Sequence, residues 1–259
     1  MASGRIMATY PELAHQHALI TGVASGIGHA QATAFLAQGV LVFGIDRQSN
    51  ASIEQLMQQY PQQFFFEQVD VRDAAAIQAS VSHALEQLDH IDLLLNTAGV
   101  LDAYAPLLAT TLASWQNILA TNLTSQFLFA QALLPQMLAQ KHGVIINMAS
   151  IAGLVAGGGG VAYTTAKHGV IGLTKQIDYD YAAKGIRANC IAPGAIDTPM
   201  NAADFQDDAK MARQVAAATP AQRWAQPEEV AALSLFLASP AADYIHGSVV
   251  PIDGGWIEK

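Results

Sequence analysis

In "YTTAK" (163–167) a tyrosine stands four residues ahead of a lysine, and of the seven tyrosines only Tyr163 has a lysine at that distance. On an α-helix this spacing puts both side chains on one face, about 6 Å apart along the axis. A phenol with its ordinary pKa of about 10 is a reluctant base at neutral pH. A lysine ammonium beside it favours the phenolate, and bringing the phenol from about 10 to about 7 corresponds to about 4 kcal/mol. Such a pair could take a proton from an alcohol oxygen or return one to it. Two helix-face neighbours, coupled by roughly a few tenths of a kcal/mol, are the other reading. What the rest of the chain positions around them decides between the two.

A second chemical signal is "LITGVASGIGHA" (19–30). Gly22, Gly26 and Gly28 sit between an apolar run and a helical pattern. Glycines there let the backbone turn tightly and approach a pyrophosphate, and the free N–H groups of a helix N-terminus favour negative charge. A tight strand-to-helix turn with no ligand would also use glycines. Asp46 ends the next apolar run, "VLVFGID" (40–46), where a carboxylate can accept both hydroxyls of an adenosine ribose and repel a 2′-phosphate. That argues for NAD over NADP, although Arg47 follows and could offset the repulsion. Asp46 could also be a plain strand-end turn residue. Asp70 and Val71 in "QVDVRD" are suited to an adenine edge. "LNTAGV" (95–100) puts Asn96, Ala98 and Gly99 where backbone must pass close to a cofactor.

These segments need a scaffold that lines them up. Seven apolar runs qualify as strands: 18–21, 40–46, 64–69, 91–96, 143–148, 186–192 and 247–252. Several are continuous rather than alternating, as in parallel strands covered on both faces. Helical patterns fill 28–39, with Gly39 as a stop, and 73–88, with Asp73 as N-cap. Two long ones run over 114–140 and 162–185. Alternation of strand and helix over the whole length predicts an α/β fold, one doubly wound Rossmann-type domain over 8–259 with a seven-stranded parallel sheet. Residues 1–7, ahead of and including Met7, read as an expression remnant or a disordered N-terminus.

Composition narrows the partners. Charged residues are 13% and hydrophobic ones 52% of the 259, against about 25% charged in an ordinary soluble domain. Much apolar surface must therefore be hidden, in the core or between subunits. The formal net charge of −9 argues against nucleic acid and anionic membrane as partners. No apolar run reaches the roughly 18 residues of a membrane span. Cys190 is the one cysteine and lies in the apolar "RANCIAPG", so it reads as a core residue rather than a nucleophile. A reducing cytoplasm suits such a chain. The eight histidines show no metal-binding spacing, and no metal is expected.

Taken together, "TGVASGIG", "NTAG", "ATNLTSQF", "INMASIAG", "AYTTAKHG", "IAPGAIDTPM" and the terminal "DGGW" resemble, in order, the short-chain dehydrogenase/reductase family. The resemblance spans nearly the whole chain. It implies a catalytic tetrad of Asn122, Ser150, Tyr163 and Lys167, with Ser150 thirteen residues before the tyrosine. Ser150 would donate a hydrogen bond to the substrate oxygen, and Lys167 would lower the phenol and reach the nicotinamide ribose. By resemblance alone, Asn122 would kink its helix and hold a water leading from Lys167 to solvent. The same comparison puts Gly22, Ser25, Gly26, Ile27 and Gly28 on the cofactor phosphates. Pro193 and Gly194 would lie under the nicotinamide, with Ile196 and Thr198 on its carboxamide. The family's usual second asparagine in "NTAG" is Thr97 here, an exchange expected to be tolerated while Asn96 remains.

The implied activity is hydride transfer between NAD(H) and a small-molecule secondary alcohol or ketone. Substrate choice should rest on 151–161 and a mobile lid around 195–225, where Met200, Phe205 and Met211 could line an apolar pocket. A 3-oxoacyl-(acyl-carrier-protein) reductase is the alternative. Its relatives bear arginines near the active-site mouth, at positions that carry Lys141 and Tyr179 here, and a basic residue where this chain has Ser25. A non-catalytic NAD-binding sensor is a reading of another class, set against by the retention of the whole tetrad. The family also pairs the helices at 114–140 and 162–184 across subunits, so a homotetramer is expected.

Overall fold

The computed structural model describes residues 8–258; the expected remnant at 1–7 lies outside the described residues. Seven strands form: β1 (His17–Thr21), β2 (Leu41–Asp46), β3 (Phe64–Gln68), β4 (Leu93–Asn96), β5 (Gly143–Met148), β6 (Ile186–Pro193) and β7 (Val249–Ile252). All pair in parallel in one sheet of order β3-β2-β1-β4-β5-β6-β7. The chain builds outward from β1 through β2 to β3, then returns to the other side of β1 with β4 and builds outward again. The point where the order reverses leaves a crevice beyond the carboxyl ends of β1 and β4, the usual ligand position in an open α/β sheet.

The continuous apolar strands are explained by burial on both faces. In β1, Ala18 and Ile20 join one core and Leu19 the other; in β5, Val144 and Ile146 face the first and Ile145 the second. The first core is covered by α1 (Gly26–Ala37), α2 (Ala51–Gln59) and α8 (Pro227–Ala238). The second is covered by α3 (Ala74–Leu88), α5 (Ser125–Gln140) and α6 (Val161–Tyr181). Asp73 caps α3 as expected, accepting from the N–H groups of Ala75 and Ala76. Gly39 follows α1 with φ +83°.

Two helix expectations need correction. The pattern at 114–140 is not one helix: α4 (Leu112–Leu119) gives way to a π turn at Ala120–Thr124, and α5 follows. The short α7 (Lys210–Ala218) and the long α8 were not foreseen. In α8, "VAALSLFLA" is apolar on nearly every side because the helix is wedged between α1 and the sheet, so no periodic face shows. Its start was nonetheless marked: Pro227 at the first position and a capping box between Gln226 and Glu229.

Candidate active site

The carboxyl edge of the sheet opens into a cleft of about 850 Å³ that runs from the ends of β2 and β3 to those of β5 and β6. Gly22, with φ +82°, turns the chain out of β1, and α1 begins four residues later. The first-turn amides of a helix lack intrahelical acceptors, and Ser25, Gly26, Ile27 and Gly28 line the cleft at that point. Asp46 supports the loop: one carboxylate oxygen accepts from Ala24 N–H (3.0 Å) and the other from Gln48 N–H (2.9 Å). A carboxylate has about four acceptor sites, so capacity remains for ribose hydroxyls. Val71, Ala98, Gly99, Pro193, Gly194, Ile196 and Thr198 complete the wall. The site thus offers first-turn helix amides, a carboxylate with spare acceptor capacity and close-lying small residues. This set fits a dinucleotide.

Asp70 also lines the cleft, but its carboxylate is already gripped by Arg72, whose Nε lies 2.9 and 3.0 Å from its two oxygens. That guanidinium holds Asp70 down at about 2, so it is ionised at any working pH. Asn96 does not reach the cleft. It is 1% exposed and donates to Asn147 Oδ1 (2.9 Å), and Asn147 Nδ2 in turn donates to Thr174 Oγ1 in α6 (2.9 Å). Its side chain ties β4 to β5 and α6, and only the backbone beyond it approaches the ligand space. Thr97 bonds Gln31 Oε1 at 2.6 Å, and Gln31 bonds Ser234 at 2.8 Å. The hydroxyl in place of asparagine therefore links the crevice to α1 and α8.

Ser150, Tyr163 and Lys167 converge on the β5 end of the cleft. Ser150 follows β5, and its Oγ accepts from Ala152 N–H (3.1 Å). Tyr163 and Lys167 project from the first turns of α6, and both are buried. Lys167 Nζ donates to the Met148 carbonyl at 2.7 Å and lies 5.5 Å from the Tyr163 ring centre. The expected lowering of the phenol by Lys167 is not found. Burial dominates and pushes Tyr163 up to about 12, against a hydrogen bond with Ser150 that pulls it down; Tyr104 and Asp102 add to the rise. The ammonium is turned toward a carbonyl rather than the phenol oxygen, and the same burial pushes Lys167 itself down to about 8.

Asn122 sits in the π turn, wholly buried, and its side chain clamps Val100: Val100 N–H donates to Oδ1 (2.9 Å) and Nδ2 donates to the Val100 carbonyl (2.9 Å). The helix expected to kink here carries a π turn instead of a regular α-turn. The Asn122 carbonyl accepts from Gln126 Nε2 at 3.0 Å. An unforeseen residue, Asp102, holds Tyr163 in place. Its carboxylate accepts from Tyr104 N–H (3.2 Å), Gly160 N–H (2.8 Å) and Tyr163 N–H itself (2.9 Å). It caps α6 from across the cleft, where an acidic group also suits the helix dipole. No local sequence signal marks it, because its partners are some sixty residues away.

In the segment 195–225, expected to be a lid, Ile196 pairs with Ala225 and joins its two ends. Met200 and Met211 line the cleft, but Phe205 does not: it packs on Trp224, ring centres 5.0 Å apart. Neither Lys141 nor Tyr179 lines it. Cys190 is fully buried, and burial pushes its thiol up to about 11, as befits a core residue. At the opposite edge of the sheet the fold brings His17, His90 and Asp92 together, with ligand atoms within 4.8 Å of one another, which no sequence spacing showed. They engage each other: His17 Nδ1 meets the His90 carbonyl at 3.1 Å, and Asp92 accepts from His17 N–H at 2.9 Å.

The buried lysine has a consequence for stability. The unfolded chain titrates Lys167 near 10.5, the folded one near 8. Between those values the unfolded state binds more protons, so this residue makes stability rise with pH, and its full burial penalty is present below about pH 8. Cys190 and Tyr163 act oppositely, since burial raises both, from ordinary values of 9.0 and 10.0. Comparing wild type with Lys167→Met isolates the lysine. Denaturant titrations should show the wild type gaining roughly 1 kcal/mol on the variant between pH 8 and 9; parallel curves would mean that Lys167 is not titrating there.

Comparison with known proteins agrees with this geometry. A family model described as enoyl-(acyl carrier protein) reductase matches residues 22–257. The chain belongs to the short-chain dehydrogenase/reductase family and is an oxidoreductase acting between hydroxyl and keto groups. It is 35% identical to 3beta-hydroxysteroid dehydrogenase 2 of Eggerthella lenta over 250 residues, 95% of this chain and 96% of that one. It is 36% identical to 3-oxoacyl-(acyl-carrier-protein) reductase of Chlamydia trachomatis, over 94% of this chain and 98% of that one. A crystal structure of levodione reductase superposes with a TM-score of 0.88 at 35% identity, covering 93% of this chain and 97% of the other. Among the described residues, no helix is long and apolar enough to cross a membrane.

Proposed function

We propose that the protein is an NAD(H)-dependent dehydrogenase/reductase of secondary alcohols and ketones, with Tyr163 moving the proton at the substrate oxygen. The convergence of Tyr163, Ser150 and Lys167 beside a glycine loop anchored by Asp46 carries this reading. Bound NAD(H) supplies the hydride acceptor or donor. Around it, this chain's residues bind, orient and move a proton. At neutral pH the Tyr163 phenol holds its proton, so it is ready to act as the acid in ketone reduction. Ser150 keeps an O–H to donate to the substrate oxygen and fix its position. Lys167 spends one donor on Met148 and has two more for ribose hydroxyls. Asn122 and Asp102 act through the backbone they hold.

Preference for NAD rests on Asp46. A 2′-phosphate placed against that carboxylate would meet about 3 kcal/mol of repulsion, for charges about 5 Å apart at an effective dielectric of about 20. Asp46→Ser should therefore raise kcat/KM for NADPH relative to NADH by roughly a hundredfold, with Arg47 left to pair with the phosphate. A ratio that stays put would remove Asp46 as the determinant.

The relatives' printed names span a hydroxysteroid, 2-dehydro-3-deoxy-D-gluconate, 2-(R)-hydroxypropyl-CoM, cis-4-hydroxycyclohexanecarboxylate and a 3-oxoacyl-(acyl-carrier-protein), so the family alone does not choose the substrate. The carrier-protein reading is supported by the Chlamydia relative and opposed by the cleft, which Lys141 and Tyr179 do not line. Faster turnover of a 3-oxoacyl thioester with NADPH than of simple alcohols with NAD would favour it. A homotetramer is supported by exposed apolar groups at Leu108, on α5 at Phe127 and on α6 at Tyr179; sedimentation at only the 27.3 kDa protomer mass would rule it out. One domain spanning 8–259, a lid at 195–225 and a cytoplasmic location complete the reading.

A further inference from the structure

Charge is unevenly spread along the cleft. Apart from Lys167, its basic side chains are Arg47 and Arg72, both at the β2–β3 end. The end that holds Ser150 and Tyr163 is walled by Tyr104, Met200, Met211, Trp224 and Trp256, and among the described residues its one charged side chain at the mouth is Asp204. Asp204 is half-buried on the 3-10 turn Pro199–Phe205. It lies near enough to Tyr104, on the facing loop, to add to the rise that burial imposes on that phenol, and Asp102 stands behind.

Lys210 does not line the cleft, and two other nearby cations are engaged elsewhere. Arg223 forks onto Glu229, with both bonds at 2.8 Å, and Arg213 donates to the Asp208 carbonyl. An anionic substrate group entering here would lose water and meet a carboxylate, while the one basic side chain lining this end, Lys167, is buried and held by the Met148 carbonyl.

We propose that this end of the cleft selects uncharged alcohols and ketones with an apolar body, and that Asp204 turns away substrates carrying a carboxylate, sulfonate or phosphate. The inference rests on the oxidoreductase reading above and deepens it. The test compares cyclohexanone with a cyclohexanone bearing a carboxylate on the far ring carbon. Wild type should favour the uncharged ketone in kcat/KM by at least about tenfold, and Asp204→Asn should narrow that ratio by about tenfold. Added salt should narrow it in wild type and leave the variant unchanged. Equal use of both ketones by wild type, or an unaltered ratio in Asp204→Asn, overturns the proposal. Binding of the same pair to Tyr163→Phe, read by the fluorescence of Trp224 and Trp256, gives the charge preference without turnover. Absence of reduction of either ketone would then count against the oxidoreductase reading, while the binding ratio still decides the role of Asp204.

Discussion

Tyr163→Phe should lower the rate of ketone reduction by about a thousandfold, the middle of the range for losing a general acid, and leave cofactor affinity within about threefold. The substitution removes one oxygen and keeps the ring. That ring is 7% exposed and packs with Ala162, Ala166 and Ile118, so the local core persists. The bond from Tyr163 to Asp102 is made by the backbone N–H and is unaffected. What is lost is the only phenol in the cleft that lies beside both Ser150 and Lys167. With the phenol raised to about 12, wild-type reduction should be level across neutral pH. Alcohol oxidation, which needs the phenolate, should climb with pH. A variant that retains wild-type turnover would show that Tyr163 is not the proton-transfer group.

Gly28→Ala should be a severely damaging single methyl at the cleft. A Cβ there would sit 2.6 Å from the Gly22 carbonyl carbon and 3.0 Å from the Thr21 carbonyl oxygen. Both are backbone atoms of the strand-to-helix turn, so no side chain can swing aside. Either the turn opens or α1 moves off β1, and α1 also packs against α8 in the same core. Overpacking of this kind costs about 3 kcal/mol, and the turn that it distorts is the proposed phosphate site. Thermal melts should show the loss, and NADH fluorescence titration should show affinity weakened by about a hundredfold. Unchanged stability and binding would mean that the turn has room which its geometry denies.

How far the sequence shows this protein depends on the distance over which each feature is encoded. The strands were legible because β1 and β4 place apolar residues on both faces, a pattern that only doubly covered parallel strands need. Asp73 and Gly39 marked helix ends locally. The break at Asn122 was not legible from periodicity, since a π turn inserts one residue without altering composition; the family resemblance alone suggested it. The side-chain direction of Asn96 was not legible, because motif position gives a backbone location but not which way the side chain faces: it turns to Asn147. Asp102 and Asp204 were invisible as site residues. Each gains its meaning from a partner on a distant element, Asp102 from the start of α6 and Asp204 from Tyr104. The direction of the Tyr163 shift was misjudged for a related reason. Spacing placed the lysine on the right face, but burial, which dominates the shift, and the Met148 carbonyl, which holds the ammonium, belong to the folded chain.

Hydride transfer to a ketone carbon is the central claim, and isotope tracing tests it most directly. The protein would be incubated with an uncharged cyclic ketone and NADH deuterated at the transferable position of its nicotinamide, and the alcohol product analysed by mass spectrometry. One deuterium should appear on the carbinol carbon, none of it from solvent, and Tyr163→Phe should give no product on the same timescale. Alcohol that carries no label, or equal product from the variant, would contradict the claim.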